Sequence, residues 1–338
     1  MLNNKNILII GGTGSFGKKA SEIILKNYNP KKLIIYSRDE MKQNEMSIDP
    51  LFKKFNRKLR FFIGDVRDLK RLQYAMFGVD IVIHAAALKH VHISEYNPIE
   101  TIKTNIIGAQ NVIEASIHCN VKKVIALSTD KASSPANLYG ATKLCSDKLF
   151  IAANNFTGGK DIKFSVVRYG NVMGSRGSVI PFFLECSKSN IFPITDKRMT
   201  RFNITLDEGV KFVINCFDIM WGGEIFVPKL KSYKILDVVH AISKKPKIKI
   251  VGIRPGEKID EQMISSDDSL NTIEYNKFYS ILPPDLQFAK WSRKDFFKNK
   301  LNKKASFCKE GFRYESGKNN SFLSVSEIRY LIKKNLKV

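Results

Sequence analysis

The sequence lacks several features that would place it in a simple class. It has no run of about 18 or more uninterrupted apolar residues, the length that spans a membrane, although 43% of its 338 residues are hydrophobic. Its five cysteines are scattered, and neither they nor the five histidines have the spacing of metal ligands. A strand-like run begins a few residues after Met1 and leaves no room for a signal peptide. We therefore expect a cytoplasmic protein without a membrane span, a disulfide framework or a metal site.

Acidic residues are also scarce. The chain has 32 aspartates and glutamates against 56 lysines and arginines, which gives a net charge of +24. A charge of this size is one signature of proteins that bind nucleic acid or an anionic surface. The lysines are spread along the whole chain, however, and no basic stripe is interleaved with aromatic residues. We expect neither nucleic acid nor a membrane as partner, and a nucleic-acid binder stays the alternative that charge alone supports.

Short apolar, β-branched runs alternate with amphipathic stretches over the first half of the chain. Such alternation predicts βαβ units, in which helices cover both faces of a parallel sheet. The predicted fold class is α/β, a Rossmann-type doubly wound parallel sheet with a smaller C-terminal substrate-binding lobe. The first predicted domain is 1–170, with its sheet completed within 200–230 by a strand at 224–227; 171–338 holds mainly the second lobe and a basic, aromatic surface tail at 292–304. The predicted strands are 7–10, 33–37, 60–65, 80–86, 123–128 and 163–169, and the predicted helices are 18–27, 100–119 and 138–155.

A glycine-rich turn follows the first predicted strand and opens a helix. Glycines at 11, 14 and 17 allow a tight turn, a close approach of the backbone to a pyrophosphate, and close packing of the helix, whose N-terminus then faces the phosphates. An ordinary glycine-rich turn is the alternative, and the βαβ context favours dinucleotide binding. The cofactor-binding residues predicted here are Gly11, Thr13, Gly14, Ser15, Phe16 and Gly17.

The residues after the second strand bear on which dinucleotide is bound. An acidic residue there binds the ribose hydroxyls of NAD, whereas an arginine can bind the 2′-phosphate of NADP through paired hydrogen bonds. Ser37 and Arg38 occupy the position and favour NADP, while Asp39 keeps NAD open. At the ends of the third and fourth strands, Asp65 with Val66 fits an adenine contact and Ala85 lines the path to the nicotinamide. The further predicted cofactor-binding residues are Ser37, Arg38, Asp39, Glu40, Lys42, Asp65, Val66, Ala85, Lys89 and Asn105.

A second block carries acid and base groups. Thr129, Asp130 and Lys131 end the fifth strand, at the carboxyl edge where α/β sheets bind ligands. Tyr139 and Lys143 are four residues apart, so on a helix they share one face. A neighbouring ammonium, with a cationic nicotinamide, would lower the pKa of the tyrosine and make its phenolate a base near neutral pH. The predicted catalytic residues are Thr129, Asp130, Lys131, Tyr139 and Lys143, and the last two also bind the cofactor.

Together these motifs resemble those of the extended short-chain dehydrogenases/reductases. The resemblance is closer to one family, the inverting UDP-N-acetylglucosamine 4,6-dehydratases that start pseudaminic acid synthesis. It runs from residue 11 to about residue 258 and includes the segments GGTGSFG, YSRDE, FFIGDVRDL, HAAALKHV, STDKA, LYGATKLCSDKLF, VVRYGNVMGSRGSVIPFF, MTRFNITLDEGV, GGEIFVPK and IRPGEK.

The resemblance implies a carbon–oxygen lyase that keeps NADP tightly bound and regenerates it in each turnover. Tyr139 would deprotonate the 4-hydroxyl of the sugar while a hydride leaves carbon 4. Lys131, if neutral, would remove the proton from carbon 5, Asp130 would protonate the departing 6-hydroxyl, and the hydride would return to carbon 6. Retaining 4,6-dehydratases carry Asp-Glu where this chain has Asp130-Lys131, so the resemblance implies inversion at carbon 5. A Lys131 that only pairs with Asp130 or with a phosphate is the alternative.

The implied substrate is UDP-N-acetylglucosamine. Guanidinium groups suit phosphate oxygens, which makes Arg176, Arg201 and Arg254 candidate clamps for the diphosphate. Because relatives form dimers or larger rings, we expect a homo-oligomer, a dimer or a hexamer, with the helices 100–119 and 138–155 as candidate faces. The predicted substrate-binding residues are Lys89, Asn171, Arg176, Thr195, Arg201, Arg254 and Glu257.

Two other functions use the same motifs. An NADP-dependent UDP-sugar 4-epimerase needs Tyr139 and Lys143 but no acid/base pair at 130 and 131. A non-catalytic dinucleotide-sensing protein usually lacks the tyrosine or the lysine, and this chain has both. The dehydratase is the predicted function, and the two alternatives stay open.

Overall fold

The computed structural model describes residues 1–175, 177–283, 296–297 and 305–336. The strands are β1 Asn6–Ile10, β2 Lys32–Ser37, β3 Leu59–Ile63, β4 Ile81–His84, β5 Lys123–Thr129, β6 Lys163–Tyr169, β7 Asn171–Val172, β8 Ile191–Ile194, β9 Thr200–Ile204, β10 Ile225–Pro228, β11 Lys231–Lys234, β12 Lys247–Ile250, β13 Gln262–Ile264, β14 Thr272–Glu274, β15 Phe278–Ile281, β16 Ser306–Phe307 and β17 Tyr314–Glu315. The helices are α1 Ser15–Asn27, α2 Glu40–Ile48, α3 Pro50–Lys53, α4 Leu69–Met76, α5 Val91–Tyr96, α6 Pro98–Ile102, α7 Gly108–His118, α8 Leu138–Ala152, α9 Val179–Cys186, α10 Leu206–Ile219, α11 Ile235–Ile242 and α12 Val325–Asn335.

One large sheet organises the molecule. Seven of its strands are parallel and lie in the order β10-β6-β5-β4-β1-β2-β3. The strand order reverses between β1 and β4, and open α/β sheets bind ligands in the crevice outside the carboxyl ends at such a point. The predicted doubly wound parallel sheet is confirmed, as is the predicted strand at 224–227, which is β10 beside β6.

The first strand shows why the sheet is buried on both faces. Ile7 and Ile9 pack into one hydrophobic core, and Leu8 and Ile10 pack into another. Because successive side chains of a strand point to opposite faces, a central parallel strand is apolar throughout. The first core lies against α1 and α10, and the second lies against α4, α7 and α8. The helices therefore cover both faces of the sheet.

Some predicted boundaries were wrong, and the differences fall at the carboxyl edge. The strands predicted at 60–65 and 80–86 end earlier, at Ile63 and His84, since the residues that follow leave the sheet as loops. The single helix predicted at 100–119 is interrupted by a π-helical turn, Lys103–Ile107, between α6 and α7. Such turns are rare and are found frequently at functional sites.

The C-terminal half contributes to two regions. Strands β8, β11 and β12, with α9, α11 and α12, contribute to a third core that includes Phe192, Tyr233 and Val238. The same half also returns to the large sheet, because β15, β14 and β16 continue it beyond β10 in antiparallel fashion. Sequence analysis did not predict these three strands. The division into domains at residue 170 stays a prediction.

Three further expectations concern the rest of the chain. The basic tail predicted at 292–304 lies outside the described residues except for 296 and 297. In the ranges given above, no helix combines the length and the apolar character needed to cross a bilayer. The same ranges contain no group of three or more His, Cys, Asp or Glu side chains arranged to hold a metal ion.

Candidate active site

The turn after β1 lies in backbone contact with its neighbours. Gly11 has a φ of +81°, and a Cβ atom on it would lie 2.9 Å from backbone atoms of Ala85 and Ala86. A Cβ atom on Gly17, in the first turn of α1, would lie 2.5 Å from the Cα atom of Gly12. Glycine avoids both collisions, so the helix packs directly on the turn. The predicted glycine cradle is therefore present in the fold.

The N-terminus of α1 is open toward this turn. Gly14 caps the helix without a side-chain hydrogen bond, and the first turn holds no acidic residue. Neither a capping hydroxyl nor a carboxylate competes there with phosphate oxygens, and the helix dipole favours an anion. Thr13 is buried, and Ser15 and Phe16 are partly exposed. These residues fit the pyrophosphate of a dinucleotide.

Arg38 and Asp39 follow β2 and have different surroundings. Arg38 is exposed, with its guanidinium 3.7 Å from the carboxylate of Asp65. The carboxylate of Asp39 accepts a 2.9 Å hydrogen bond from the backbone N–H of Lys42, contacts the Lys42 ammonium as well, and thereby caps α2. Asp39, the acidic residue that left NAD as an alternative cofactor, is therefore already hydrogen-bonded within the protein. Glu40, in the first turn of α2, is exposed.

Gln43 is a buried residue that sequence analysis missed. Its side-chain amide donates to the carbonyl (3.1 Å) and the hydroxyl (3.0 Å) of Ser37, and to the carbonyl of Phe62 (2.9 Å). The amide thereby joins the ends of β2 and β3 and holds the residue that precedes Arg38. A glutamine four residues after Asp39, the N-cap of α2, is the signal that could have found it.

Asp65 follows β3 as an ordered anion. Its carboxylate accepts hydrogen bonds from the backbone N–H (2.9 Å) and the guanidinium (2.7 Å) of Arg67. Burial alone would raise the pKa of Asp65, but these bonds and the charge of Arg38 hold that pKa below its ordinary value. The hydroxyl of Tyr36 donates to the carbonyl of Asp65 at 2.8 Å, and Val66 is buried. Asp65 therefore lies beside the predicted dinucleotide site.

The loop after β4 carries Ala85 and Lys89 and is held by Asn105. The buried Asn105 side chain accepts from the N–H of Leu88 (2.9 Å) and donates to its carbonyl (3.0 Å). It also donates to the hydroxyl of Thr142 in α8 (3.0 Å). Loss of hydration lowers the pKa of Lys89. Asn105 thus ties the loop to α8, which is a supporting role.

Strand β5 ends in a short 3₁₀ turn, Asp130–Ala132, that holds a buried acid. We call it the catalytic turn, after the predicted roles of Asp130 and Lys131. The Oδ1 atom of Asp130 accepts hydrogen bonds from the hydroxyl of Thr129 (2.9 Å) and the ammonium of Lys131 (3.1 Å). Its Oδ2 atom has no partner within the described part of the chain. Burial, together with the charge of Glu261, raises the pKa of Asp130 above its ordinary value although Lys131 opposes it. Asp130 can therefore hold a proton where most carboxyls are ionised.

Helix α8 brings Tyr139 to this turn. Asn137 caps the helix by accepting a 2.8 Å hydrogen bond from the N–H of Gly140. The pKa of Tyr139 is raised to about 12, since burial outweighs the charge of Lys131 and a hydrogen bond with Thr129. The expected lowering of this pKa is therefore wrong for the protein alone. The cation that acts most strongly on the phenol is Lys131, not Lys143.

Lys143 is buried among other polar groups. Burial lowers its pKa, and the charge of Asp147 opposes that shift. The carboxylate of Asp147 accepts hydrogen bonds from the hydroxyl of Ser128 (2.8 Å) and the guanidinium of Arg168 (3.2 Å). His84 is also buried, and its ring nitrogens have no partner among the residues described. Burial and the charge of Lys143 lower the pKa of His84 to about 3, so its ring is neutral.

A cleft with a volume of about 640 Å³ is lined by the catalytic turn and the second lobe. The Oδ1 atom of Asn171 is buried there and has no partner in the described ranges. Within those ranges the Arg254 guanidinium is also without a hydrogen-bond partner, although its backbone N–H donates to the Glu257 carboxylate at 3.1 Å. Arg176 lies outside the described residues, and Lys89 does not line the cleft. The predicted residues that line it are Lys131, Asn171, Thr195, Arg201, Arg254 and Glu257.

Arg201 is not free to clamp a diphosphate. Its guanidinium donates hydrogen bonds to the carbonyls of Thr200 (2.6 Å), Ile259 (2.9 Å) and Lys258 (3.1 Å). Its Nε atom lies 3.6 Å from the carboxylate of Glu261. The prediction of a phosphate clamp at this position is therefore wrong, because the planar fork is used by the backbone next to it.

Glu261 is a second buried carboxylate that sequence analysis missed. Its Oε1 atom lies 3.0 Å from the Nζ atom of Lys131, which also lies 3.1 Å from Asp130. Burial would lower the pKa of Lys131, but the charges of Asp130 and Glu261 raise it above its ordinary value. The neutral form on which the predicted base role of Lys131 depends is thus not the resting form in the protein alone, where the lysine bridges two carboxylates. No local motif signals this contact, since Glu261 lies far along the chain.

The segment that carries Glu261 is also attached to the catalytic turn. The ammonium of Lys258 donates to the carbonyl of Ser133 at 3.1 Å and contacts that of Ser134. The side-chain amide of Asn137 donates to the carbonyl of Gly256 at 2.9 Å. These contacts join the second lobe to the catalytic turn at the edge of the cleft.

The chain matches one family over most of its length. The sequence model of the family described as polysaccharide biosynthesis protein matches residues 7–283. A protein of Campylobacter jejuni subsp. jejuni serotype O:23/36 (strain 81-176), named UDP-N-acetylglucosamine 4,6-dehydratase (inverting), is 57% identical over 335 residues, which are 98% of each chain. A UDP-glucose 4-epimerase of Rickettsia akari (strain Hartford) is 42% identical over 301 residues, 86% of this chain and 87% of that protein.

A solved structure agrees with the whole architecture. The X-ray structure of Pen from Bacillus thuringiensis matches with a TM-score of 0.86 at 36% identity and covers 98% of this chain and 99% of that one. The resemblance that the motifs predicted is confirmed by the Campylobacter relative. The chain therefore belongs to the polysaccharide biosynthesis protein family, among the short-chain dehydrogenase/reductase enzymes that include the inverting UDP-N-acetylglucosamine 4,6-dehydratases.

Proposed function

We propose that this chain catalyses the NADP-dependent 4,6-dehydration of UDP-N-acetylglucosamine with inversion at carbon 5. The product is UDP-2-acetamido-2,6-dideoxy-beta-L-arabino-hexos-4-ulose. The observation that carries the proposal is the contact between Asp130 and Lys131, 3.1 Å apart beside the cleft and close to Tyr139. An acid and an amine held together supply the two groups that the removal of water from carbons 5 and 6 needs.

NADP fits the residues present. The glycine turn and the open N-terminus of α1 would hold its pyrophosphate. The exposed Arg38 would bind the 2′-phosphate, while Asp39 is used to cap α2. When bound, NADP supplies the acceptor that takes a hydride from carbon 4 of the sugar and returns it to carbon 6.

Tyr139 would accept the proton of the 4-hydroxyl. A pKa of about 12 is high for a base at neutral pH, so the phenolate needs nearby positive charge and hydrogen bonds. The charge of Lys131 and the hydrogen bond with Thr129 already favour the phenolate. These contacts support Thr129 and Lys131 as groups that help to make Tyr139 a base. The role of Lys143 rests on the helix face that it shares with Tyr139.

Lys131 and Asp130 would act as base and acid on carbons 5 and 6. In the resting pair the proton is on Lys131, because its pKa is raised. Transfer of that proton along the 3.1 Å hydrogen bond to Asp130, whose pKa is also raised, gives a neutral amine and a neutral acid without net change of charge. The amine then takes the proton from carbon 5, and the acid protonates the departing 6-hydroxyl as water. Both groups end the step with the charges of the resting pair. Once the hydride is on carbon 6, carbon 5 would take up a proton that derives from solvent, on the face opposite Lys131, which gives the inverted configuration.

The nucleotide sugar would occupy the cleft. Its volume of about 640 Å³ falls in the range of about 300–1,000 Å³ that is usual for small-molecule sites. The Arg254 guanidinium is available to phosphate oxygens, and the unpartnered Oδ1 atom of Asn171 can accept a hydrogen bond from a sugar hydroxyl or amide. Lys131 lines the same cleft, which would bring the base close to the sugar ring.

A proton NMR time course tests the proposal. UDP-N-acetylglucosamine is incubated with purified protein in deuterated water, without added cofactor. We expect a new 6-deoxy methyl signal, deuterium at carbon 5 and the L-arabino configuration, which together indicate dehydration, retained NADP and inversion. A D-xylo product would contradict the inverting role of Lys131 but not the dehydration itself. No reaction after NADP is added, or full activity of Lys131→Ala, would contradict the mechanism.

A UDP-sugar 4-epimerase is the second candidate, because the Rickettsia akari protein named UDP-glucose 4-epimerase is 42% identical to this chain over 301 residues. An epimerase returns the hydride to carbon 4, so it needs Tyr139 but no proton transfer at carbons 5 and 6. In the same NMR experiment it would produce the 4-epimer with its 6-hydroxymethyl group intact. The buried Asp130–Lys131 pair favours the dehydratase.

We extend the proposal to the setting of the enzyme: a cytoplasmic homo-oligomer whose product enters pseudaminic acid-type synthesis. The resemblance to the inverting dehydratases supports this setting. The region 100–119, predicted as a subunit face, exposes Ile107, and Ile99 just before it is exposed as well. Exposed apolar side chains are typical of contact surfaces. Light scattering should give the mass of a dimer or hexamer, and a monomer at micromolar concentration would contradict the proposed assembly.

A further inference from the structure

We infer that Glu261 is a positioning residue for the proton-transfer pair: it holds the amine of Lys131 against Asp130 through an ion pair. This inference rests on the proposed function, in which Lys131 is the base at carbon 5. Glu261 belongs to no motif that the sequence analysis singled out. Its contacts, its burial and the charges around it carry the argument.

The amine lies between two carboxylates. The Nζ atom of Lys131 is 3.1 Å from Oδ1 of Asp130 and 3.0 Å from Oε1 of Glu261. The side chains of Asp130 and Glu261 are 1% and 4% exposed, whereas that of Lys131 is 23% exposed. The amine is therefore the most exposed member of the trio; Lys131 and Glu261 both line the cleft, and Asp130 is buried beside them.

The backbone that carries the Glu261 side chain is held in place by hydrogen bonds to Ser316. Its N–H donates to the hydroxyl of Ser316 at 2.9 Å, and its carbonyl accepts from the N–H of Ser316 at 2.8 Å. Two residues earlier, the carbonyl of Ile259 accepts a 2.9 Å hydrogen bond from Arg201. The backbone of the segment is thus anchored at two points close to Glu261.

The charges that face Lys131 come from several elements. Asp130 and Glu261 are the anions that raise its pKa, and Arg201 on β9 opposes them. Lys258 lies on the same segment as Glu261 and interacts electrostatically with the pair. Two phenols, Tyr139 on α8 and Tyr233 on β11, also interact with the charge of Lys131.

The proposed proton transfers make the second carboxylate necessary. When Asp130 takes the proton of Lys131, the Asp130 carboxyl becomes neutral and no longer forms an ion pair with the amine. Glu261 then remains as the charged partner that keeps Lys131 in place. When the amine accepts the proton of carbon 5, the resulting ammonium forms 3.0 Å from a carboxylate, which favours that step.

Competitive acetylation with acetic anhydride tests the inference without substrate, because only the neutral form of an amine reacts. Glu261→Gln removes the charge and keeps the shape. An opposite charge this close shifts a pKa by about 1–3 units, so mass spectrometry should show Lys131 labelled about tenfold faster or more at pH 8. Glu185→Gln removes an exposed charge from the same cleft and should leave the labelling of Lys131 unchanged. Equal labelling of wild type and Glu261→Gln would overturn the inference.

Glu261→Asp distinguishes an effect of the carboxylate charge from an effect of side-chain contact alone. It keeps the carboxylate but withdraws it by one methylene, so we expect labelling at least twofold faster than in wild type and slower than in Glu261→Gln. A purely structural role predicts that aspartate and glutamine act alike. If Glu261→Gln does not fold, wild-type labelling of Glu261→Asp would overturn the inference.

The pH profile of dehydration links the inference to the reaction. With the charge removed, the falling limb of kcat against pH, where the pair loses its proton from Lys131, should move to lower pH by one unit or more, and the plateau should fall because the amine is a weaker base. A wild-type protein without dehydratase activity would contradict the proposed function, while the labelling would still test the role of Glu261. An active wild type with unchanged labelling and an unchanged limb in Glu261→Gln would contradict this inference alone.

Discussion

A Cβ atom on Gly140 would lie 2.3 Å from the carbonyl oxygen of Lys131. Gly140 directly follows Tyr139 in the first turn of α8, so the helix that carries the phenol rests on the backbone of the catalytic turn. The positions of Tyr139 and Lys131 relative to each other are therefore set by the absence of a side chain at residue 140.

Gly140→Ala should reduce the dehydration rate about a hundredfold or more, because the helix or the turn must move and small misplacements of reacting groups cost that much. Gly209→Ala is the matched control. It also lies within a helix, and its Cβ atom would meet only Ile204, at an ordinary 3.7 Å. Gly209→Ala should keep full activity and stabilise the protein by about 0.5–1 kcal/mol. Steady-state kinetics of both variants decide, and an unimpaired Gly140→Ala would disprove the close contact.

Arg38→Ala should weaken NADP binding about tenfold or more and leave NAD binding unchanged, since charge-assisted hydrogen bonds to a 2′-phosphate contribute about 1.5–3 kcal/mol. Isothermal titration of the protein freed of its cofactor measures both affinities. Arg60→Ala is the control, because Arg60 lies at the amino end of β3 and binds the carbonyl of Leu59. Undiminished NADP affinity of Arg38→Ala would argue against the proposed cofactor preference.

The two arginines of the cleft should respond differently to truncation. Arg254→Ala should raise the KM for the nucleotide sugar about tenfold or more with little change of kcat, since it removes a contact to phosphate. Arg201→Ala should lower the free energy of unfolding by about 3 kcal/mol or more, because buried carbonyls and Glu261 lose their partner. Urea unfolding and steady-state kinetics test both. A stable Arg201→Ala with only a raised KM would restore that residue as a phosphate clamp.

His84 should make stability fall in mild acid. Its folded pKa of about 3 lies below the ordinary 6.5, so below pH 6.5 the unfolded chain binds a proton that the folded protein excludes. Between pH 7 and pH 5 this linkage removes about 2 kcal/mol of stability. His84→Leu should lack that part of the slope in urea unfolding, whereas His118→Leu, at the exposed end of α7, should retain it. Identical slopes for His84→Leu and wild type would contradict the buried neutral ring.

The features that sequence analysis predicted have local causes. The glycine turn, the strands of the parallel sheet and the shared face of Tyr139 and Lys143 each depend on spacing within a few residues. The features that it missed depend on contacts between distant segments. Gln43 joins the ends of two strands, and the contact of Asn105 with Leu88, unlike the residue itself, was not predicted. Neither contact produces a periodic pattern in the sequence.

The sequence by itself determined the α/β fold, the place of the glycine turn and the presence of an acid, an amine and a phenol at one sheet edge, because hydrophobic periodicity and short motifs carry that information. Only the tertiary structure decided how these groups are charged. It brought Glu261 to within 3.0 Å of Lys131 and engaged Arg201 with the neighbouring backbone. Coulomb interactions act over a few ångströms in space, so the protonation of Lys131 is set by a residue whose distance along the chain gives no sign of the contact.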